Sequence, residues 1–445
     1  MAYSVGFISL GCDKNRVNTE QMIFLLNEAG WEIRAEADEV DLAVVNTCGF
    51  IDAAKSEAID TILELGRRKS EGRIGKLLVT GCLSQRYQDE VLSEMPEVDG
   101  VLGTGSFARV AEAAARVMAG ERVRLFGDIS APLPQPQRIL TTPGYLAYLT
   151  IAEGCDNHCA YCVIPSLRGR YRSRPMEELL AEARELAAAG VKELIVIAQD
   201  TSRYGLDLYG ERCLAQLLSG LCRIDGLRWI RVHYLYPDEM PDELIDTIAR
   251  EEKIVKYLDI PIQHVNDDIL RRMNRRGSKA YLDGLFTKLR ARIPGLVLRT
   301  SLITGLPGEG EAEFAELCDF LRKHRLERVG AFAFSPEEGT PAARMDYPPA
   351  ETAEHRAELI EELQSRVIDD YNARKLGTAE AVLCEGFDRA EGTYFGRSYA
   401  ESPGIDGQIR FTSKSPVKAG SFITVELTGT SDGELTGRAA GEEET

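Results

Sequence analysis

Short apolar runs alternate with segments of helical periodicity along most of this chain, and that alternation restricts the fold more than any other feature. Three runs come first: "VGFISL" (Val5–Leu10), "VDLAVVN" (Val40–Asn46) and "KLLVT" (Lys76–Thr80). Helical patterns such as "NTEQMIFLLNEAG" and "AAKSEAIDTILELGRR" lie between them. A parallel strand pair needs a long crossover, and strands covered on both faces have no polar side, so these read as βαβ units. A cysteine follows each run almost at once: Cys12 in "LGC", Cys48 in "NTCG" and Cys82 in "TGC". Their separations of 36 and 34 residues are each about one βαβ repeat. In open parallel sheets ligands bind beyond the carboxyl ends of the strands, so three such cysteines converge on one edge.

The proline-rich "ISAPLPQPQRIL" breaks the pattern and reads as a linker. From Tyr145 a second series begins: "YLTIAEGC", "ELIVIAQD", "WIRVHYLYP", "KYLDIPIQH", "GLVLRTSLITG" and "RVGAFAFSP". Helical segments such as "MEELLAEARELAAAG" and "EAEFAELCDFLRKHRL" fill the gaps. Six β/α units predict an open or partial barrel, whose active residues gather at the C-terminal ends of the strands. A long helix, "AETAEHRAELIEELQSRVIDDYNARKLG", closes this region. From Thr378 short strands between Gly, Pro and Asp turns predict a small antiparallel barrel of about 70 residues. The tail "GEEET" is expected to be disordered. The fold class is therefore α/β with a β-barrel appended. The expected domains span residues 1–130, 140–375 and 377–445.

Length and composition agree: 445 residues predict about three domains, and 44% hydrophobic with 28% charged residues is ordinary globular composition. No apolar run approaches the roughly 18 residues a membrane span needs. The start, "MAYSVGFISLGC", lacks a basic segment ahead of its apolar stretch and reads as a strand, not a signal peptide. Ten cysteines in a chain this size do not make a disulfide scaffold. A reduced, cytoplasmic setting with some cysteines as metal ligands or catalysts fits better. The formal charge of −18 argues against nucleic acid as the main substrate, because nucleic-acid binders usually show a basic footprint.

The second series carries the sharper signal. "EGCDNHCAYC" places Cys155, Cys159 and Cys162 at C-x3-C-x2-C directly after the first strand. A [4Fe–4S] cluster has four irons, each wanting an external ligand, and three cysteines leave one open. An open position is how a metal site binds substrate instead of bracing a fold. A structural zinc needs a fourth ligand, and His158 is placed awkwardly between two of the cysteines. Incidental core cysteines are the blander reading. At the other strand ends, Gln199 and Asp200 in "AQDTSRYG", Gln263 in "DIPIQH", and Arg299, Thr300 and Ser301 in "LRTSLITG" are polar where a pocket would lie. Gly305 and Gly308 allow either a close ligand approach or a tight turn. His233 and His264 read as structural. Cys213, Cys222, Cys318 and Cys384 read as small buried apolar residues.

C-x3-C-x2-C after the first strand of a β/α barrel, with aromatic Tyr161 before the last cysteine, resembles the radical S-adenosylmethionine enzymes. The resemblance implies that Cys155, Cys159 and Cys162 ligate a [4Fe–4S] cluster whose open iron chelates S-adenosylmethionine. Reductive cleavage then yields a radical that abstracts hydrogen from an unactivated carbon. Tyr161, Gln199, Asp200, Gln263, Arg299, Thr300 and Gly305 become candidate contacts to that cofactor. The whole chain resembles one branch, the methylthiotransferases, through "SLGCDKN", "VVNTCGFI", "VTGCLSQRY", "IAEGCDNHCAYCVIPSLRGRYRSR" and a C-terminal barrel of the TRAM type. That branch implies a second [4Fe–4S] cluster on Cys12, Cys48 and Cys82, able to hold a sulfur species. It also implies an electron donor such as flavodoxin or ferredoxin. No side chain is assigned as acid or base.

The branch modifies either tRNA or the β-carbon of an aspartate in small-subunit ribosomal protein 12. "IAQDTSRYG", "WIRVHYLYP" and "GTYFGRSYAESPGIDGQI" resemble the ribosomal-protein form. Charge points the same way: residues 377–445 hold 6 Lys or Arg against 12 Asp or Glu, a net of −6. That suits a basic protein better than a phosphate backbone. Methylthiolation of an adenosine in tRNA is the alternative, and an iron–sulfur scaffold binding ribosomal components is the non-enzyme alternative.

Overall fold

The computed structural model describes residues 2–132 and 134–441, so Glu442–Thr445 of the expected disordered tail lie outside the described residues. The N-terminal strands are β1 (Ser4–Ser9), β2 (Glu32–Arg34), β3 (Val40–Thr47), β4 (Ile74–Gly81), β5 (Gly100–Leu102) and β6 (Val123–Leu125). They form one sheet in the order β2-β1-β3-β4-β5-β6, and every pairing is parallel. The central strand shows why the apolar runs are unbroken. Leu42 and Val44 of β3 pack into one layer and Ala43 and Val45 into the other, so neither face meets water. The strand order reverses between β1 and β3, which is where ligands sit in sheets of this kind.

The linker carries no helix or strand between β6 and β7 among the described residues. All six strands expected next are present. They are β7 (Leu146–Thr150), then, after a two-stranded ribbon of β8 (Ala152–Glu153) and β9 (Arg172–Ser173), β10 (Glu193–Ile197), β11 (Trp229–Val232), β12 (Ile254–Asp259), β13 (Val297–Thr304) and β14 (Arg328–Ala333). They form an open parallel sheet in the order β14-β13-β12-β11-β10-β7. Alternate residues separate its faces. Leu149, Val196, Ile230, Leu258 and Leu298 join the core that packs beneath the helices. The opposite register carries Tyr148, Ile195, Glu193, Arg231, Asp259 and Arg299 into the lumen. The helix Ala350–Lys375 packs along β14 and β13.

The C-terminal strands are β15 (Ala379–Asp388), β16 (Thr393–Arg397), β17 (Ile409–Thr412), β18 (Phe422–Ser431) and β19 (Glu434–Ala439). They close as β15-β16-β17-β19-β18. Four pairings are antiparallel as expected, and closure adds a parallel pairing of β17 with β19. β19 escaped the sequence reading because it buries only Leu435 and Ala439, which leaves no apolar run.

Both flanking domains enter the central barrel. From the N-terminal side, Val17 on the helix Asp13–Glu28 packs on Leu146, Tyr148, Ile195 and Ile197. From the other end, the connection between β16 and β17 plugs the lumen. Ser398, Ala400, Glu401 and Ser402 are all buried there. Ser402 Oγ lies 3.0 Å from His233 Nε2, Arg328 Nη2 donates to Glu401 Oε1 at 3.0 Å, and Tyr257 Oη donates to Asp406 Oδ2 at 2.7 Å. Among the described residues no helix is long and apolar enough to cross a membrane.

Candidate metal centre

The sheet order brings the first three cysteines to one edge. Cys12 lies in the loop after β1, Cys48 follows β3, and Cys82 follows β4 and opens the helix Cys82–Tyr87. Asn15 ties the loops together: its Nδ2 donates to Leu10 O at 3.0 Å and Thr47 O at 2.9 Å. Its Oδ1 faces Cys82 Sγ at 3.9 Å. Gly11 sits at φ 82°, and a Cβ there would stand 2.6 Å from Cys48 Cβ. Only glycine lets the Cys12 loop lie so close in this conformation. Burial pushes the Cys48 thiol up to about 11, and the neighbouring Cys82 and Cys12 push it the same way. Burial raises Cys82 too. Cys12 and Cys82 therefore both lie close enough to act on Cys48.

The second set is built by one loop. Cys155 N donates to Gly169 O at 3.1 Å, Cys162 N to Cys159 O at 3.0 Å, and Ala160 N to Met273 O at 2.9 Å. Burial pushes Cys155 up to about 11 and raises Cys162 further, with the charge of Cys159 adding to both. Arg275 supplies the opposing charge. It is buried, donates to Tyr161 Oη at 3.0 Å and Pro261 O at 2.7 Å, and approaches Cys159 Sγ at 3.7 Å. His158 points away from this company: it is exposed, at φ 49°.

A polar bridge joins the two sets across the domain interface. Buried Arg168, at the end of the helix Ile164–Arg168, donates to Asn18 Oδ1 at 2.8 Å and also to Asn15 Oδ1. It pairs with buried Glu153 at 3.4 Å. Gln199 Nε2 donates to the same Glu153 oxygen at 3.3 Å. The Arg168 charge lowers the Cys82 thiol against its burial. Cys82, Val163 and Leu167 pack together beside it.

The donor chemistry fits iron–sulfur clusters. Buried thiols held this high ionise where positive charge shares the pocket, as a cluster's iron or a guanidinium supplies it. Among the described residues no three His, Cys, Asp or Glu side chains surround a point that could hold a single metal ion. A cuboidal cluster makes a different demand, with three thiolates on three irons spread around a core. Beside the second set, Thr150 Oγ1, Asn157 Oδ1 and Gln199 Oε1 are buried without a hydrogen-bond partner. Orphaned polar atoms at strand ends mark a place for a polar ligand.

Comparison with known proteins agrees with this geometry. The chain matches the models of the radical SAM superfamily over residues 149–321, the uncharacterized protein family UPF0004 over residues 4–103 and the TRAM domain over residues 376–440. Ribosomal protein uS12 methylthiotransferase RimO of Lachnoclostridium phytofermentans is 48% identical over 97% of this chain and 99% of its own. Its namesake in Pelotomaculum thermopropionicum is 48% identical over 98% and 99%. That of Symbiobacterium thermophilum is 47% identical over 98% and 90%. The chain belongs to the uS12 methylthiotransferase family. Among solved structures, a radical S-adenosylmethionine methyltransferase, TsrM, from Kitasatospora setae superposes with a TM-score of 0.58 at 14% identity, covering 77% of this chain and 74% of that one. At that identity the likeness concerns the fold alone.

Within this uS12 methylthiotransferase family member, the candidate cofactor residues fare differently. Gln199 keeps a free buried oxygen. Gln263 adopts φ 68° while its backbone bonds to Ser301 O at 2.9 Å and Ile303 N at 2.8 Å, so the neighbouring strand holds it in a strained conformation. Arg299 faces the lumen and pairs with Asp259 at 2.7 Å. Tyr161 packs in the cluster of Ala160, Met273 and Leu306. Two others are engaged by the protein. Asp200 accepts from Asn157 Nδ2 at 2.7 Å and Ser202 N at 3.1 Å, which caps its loop. Thr300 Oγ1 donates to Ile260 O at 2.8 Å and accepts from Ile262 N at 3.1 Å. Gly305, at φ 73°, is tight against the Ala350–Lys375 helix: a Cβ would fall 2.3 Å from Ala353 Cβ. His264 Nε2 lies 3.3 Å from buried Glu309, a structural role as expected. Cys213, Cys318 and Cys384 are buried, and Cys222 partly so. The sequence reading gave no role to Arg168, Glu153 or Arg275. Arg168 and Glu153 lie inside the quoted motif around the triplet, but only folding shows that they join the two cysteine sets.

Proposed function

We propose that this chain inserts a methylthio group at the β-carbon of an aspartate in small-subunit ribosomal protein uS12. One [4Fe–4S] cluster is held by Cys155, Cys159 and Cys162, and a second by Cys12, Cys48 and Cys82. The observation that carries the proposal is the pair of cysteine triplets opening on one interface, bridged by Arg168 and Glu153. When bound, the clusters and S-adenosylmethionine supply the electron, the radical and the sulfur that such an insertion consumes. The chain's residues bind, orient and shield. Arg275 fixes the Cys159 loop through Tyr161 and Pro261. Arg168 sets a positive charge against Cys82. Gln199 offers its unpartnered oxygen to the S-adenosylmethionine end of the mouth, and Gln263 and Arg299 line it. The N-terminal domain covers the lumen through Val17 and keeps water from it. The acidic C-terminal barrel favours encounter with a basic ribosomal protein over RNA. A cytoplasmic setting and an electron donor such as flavodoxin or ferredoxin complete the proposal.

The test is the intact mass of small-subunit ribosomal proteins from cells with and without the gene, joined to assays of the purified variants. Loss of one methylthio group from uS12 alone supports the reading. Unchanged ribosomal proteins with altered tRNA nucleosides would transfer the activity to tRNA. Cys12→Ala should spare 5′-deoxyadenosine formation and abolish sulfur insertion, whereas Cys155→Ala should abolish both. No 5′-deoxyadenosine from the wild type under strong reductant would leave only the scaffold reading.

A further inference from the structure

Most buried cations in this fold come with carboxylates, although Arg275 is held instead by Tyr161, Pro261 and Cys159. Arg168 has Glu153, Arg299 has Asp259, Arg138 has Glu20 and Arg356 has Glu309. That is the usual condition for burying a charge. Lys14 departs from it. It sits on the first turn of the helix Asp13–Glu28, two residues after Cys12, with only 6% of its surface exposed. Among the described residues its ammonium has no carboxylate at ion-pair distance. Its principal partner is an aromatic face: Nζ stands 3.5 Å from the centroid of the Tyr234 ring. The charge of the adjacent Asp13 acts on Lys14 without forming an ion pair, and acts on Tyr148 as well.

Tyr234 is placed for this contact at a conformational cost. It follows β11 at φ 62°, a region that residues other than glycine rarely occupy. Its carbonyl accepts from Thr201 N at 3.0 Å and Thr201 Oγ1 at 3.1 Å, and its N–H donates to Asp259 Oδ2 at 3.3 Å. The central barrel therefore presents a ring to a lysine of the N-terminal domain. A cation–π contact, joined by a hydrogen bond to the same tyrosine, holds the ammonium in place and leaves donors for a further partner. The result is an oriented cation beside the Cys12 loop, at the end of a central strand.

We infer that Lys14 is a specificity-determining residue that receives the side-chain carboxylate of the target aspartate. The inference rests on the uS12 reading above. The reacting β-carbon is bonded directly to that carboxylate carbon. Fixing the carboxylate at Lys14 holds the β-carbon beside the Cys12 loop, where the N-terminal and central domains meet. An adenine ring offers no such anion.

The test is a binding measurement on the cluster-loaded enzyme, so that catalysis does not enter. Affinity for purified uS12 is compared with that for uS12 whose target aspartate is replaced by asparagine. The wild-type enzyme should favour the aspartate form by about tenfold or more, the span of a charge-assisted hydrogen bond of ~1.5–3 kcal/mol. Lys14→Met preserves length and ring packing and should bind both forms alike. Lys14→Gln, with a polar tip, should also lose the preference and serves if the methionine variant folds poorly. Iron content per chain checks that each variant is intact. A preference that survives in intact Lys14 variants overturns the inference and leaves the uS12 reading standing. Equal wild-type binding of the two uS12 forms overturns it likewise. Failure of the wild type to bind uS12 at all, with binding of tRNA, removes both.

Discussion

Replacing Glu193 with glutamine should loosen the C-terminal barrel from the central one. Glu193 opens β10, is fully buried, and accepts from Arg231 Nε at 2.8 Å and Arg397 Nη2 at 2.7 Å. Arg231 belongs to the central sheet and Arg397 to the C-terminal barrel, so one carboxylate joins two domains. At an effective dielectric of about 20, each contact is worth about 6 kcal/mol of gross attraction, most of it offset by desolvation. Removing the charge leaves two buried guanidiniums facing a neutral amide, a loss of about 3–5 kcal/mol. The assay is built into the interface. Trp229 meets Phe422 edge-on with centroids 4.6 Å apart, and the chain has 2 tryptophans. In a Trp31→Phe background, Trp229 fluorescence during urea titration reports this contact, and its own transition is analysed because three domains need not unfold together. A loss below about 1 kcal/mol would refute the reasoning. Burial pushes the Glu193 carboxyl up, but Arg397 and Arg231 outweigh it and hold it below its ordinary value of 4.5. Its stabilisation is then complete above pH 4.5 and is lost as pH falls through the lower folded value. The wild-type transition should weaken over that acid range, and that of Glu193→Gln should lack this component.

Three glycine substitutions probe loops of the N-terminal and central domains. Gly11→Ala places a Cβ 2.6 Å from Cys48 Cβ at φ 82° and should lower bound iron by about half, the share of one of the two four-iron clusters proposed above; full iron content would contradict that proposal. Gly305→Ala meets Ala353 Cβ at 2.3 Å and should cost about 3 kcal/mol and expose the Ala350–Lys375 helix to protease. Gly308→Ala meets only the mobile end of Arg272, at 2.9 Å, and should cost less, as denaturant titration would show.

The parallel sheets were legible because their signal is local. Residues 42–45 and 194–197 are buried on both faces, and only apolar residues fill such strands cheaply. The first three cysteines were legible because each follows a strand, and strand ends in a parallel sheet share an edge; the second three were legible from their spacing within one loop. What stayed hidden depends on partners far apart in sequence. Arg168 becomes meaningful only when the helix Ile164–Arg168 meets Asn15, 153 residues earlier. Thr300 looks like pocket lining from its polarity, yet the loop after β12 takes both hydrogen bonds of its hydroxyl. Glycine at 305 is compatible with a ligand or with a tight turn, and its closeness to Ala353 appears only in the packing.

The plug formed by Ser398–Ser402 bears on how such a protein can be taken apart. The lower lumen of the central barrel is lined by two domains at once. Ending the chain at Gly377 would leave Glu193 without Arg397, Arg328 without Glu401, and His233 without Ser402. The barrel is therefore not a cassette. Transplanting it into another chain, or replacing its C-terminal neighbour with one of different specificity, requires the ten-residue connection Arg397–Asp406 to travel with it. Any change in what the C-terminal barrel binds must also keep that connection seated.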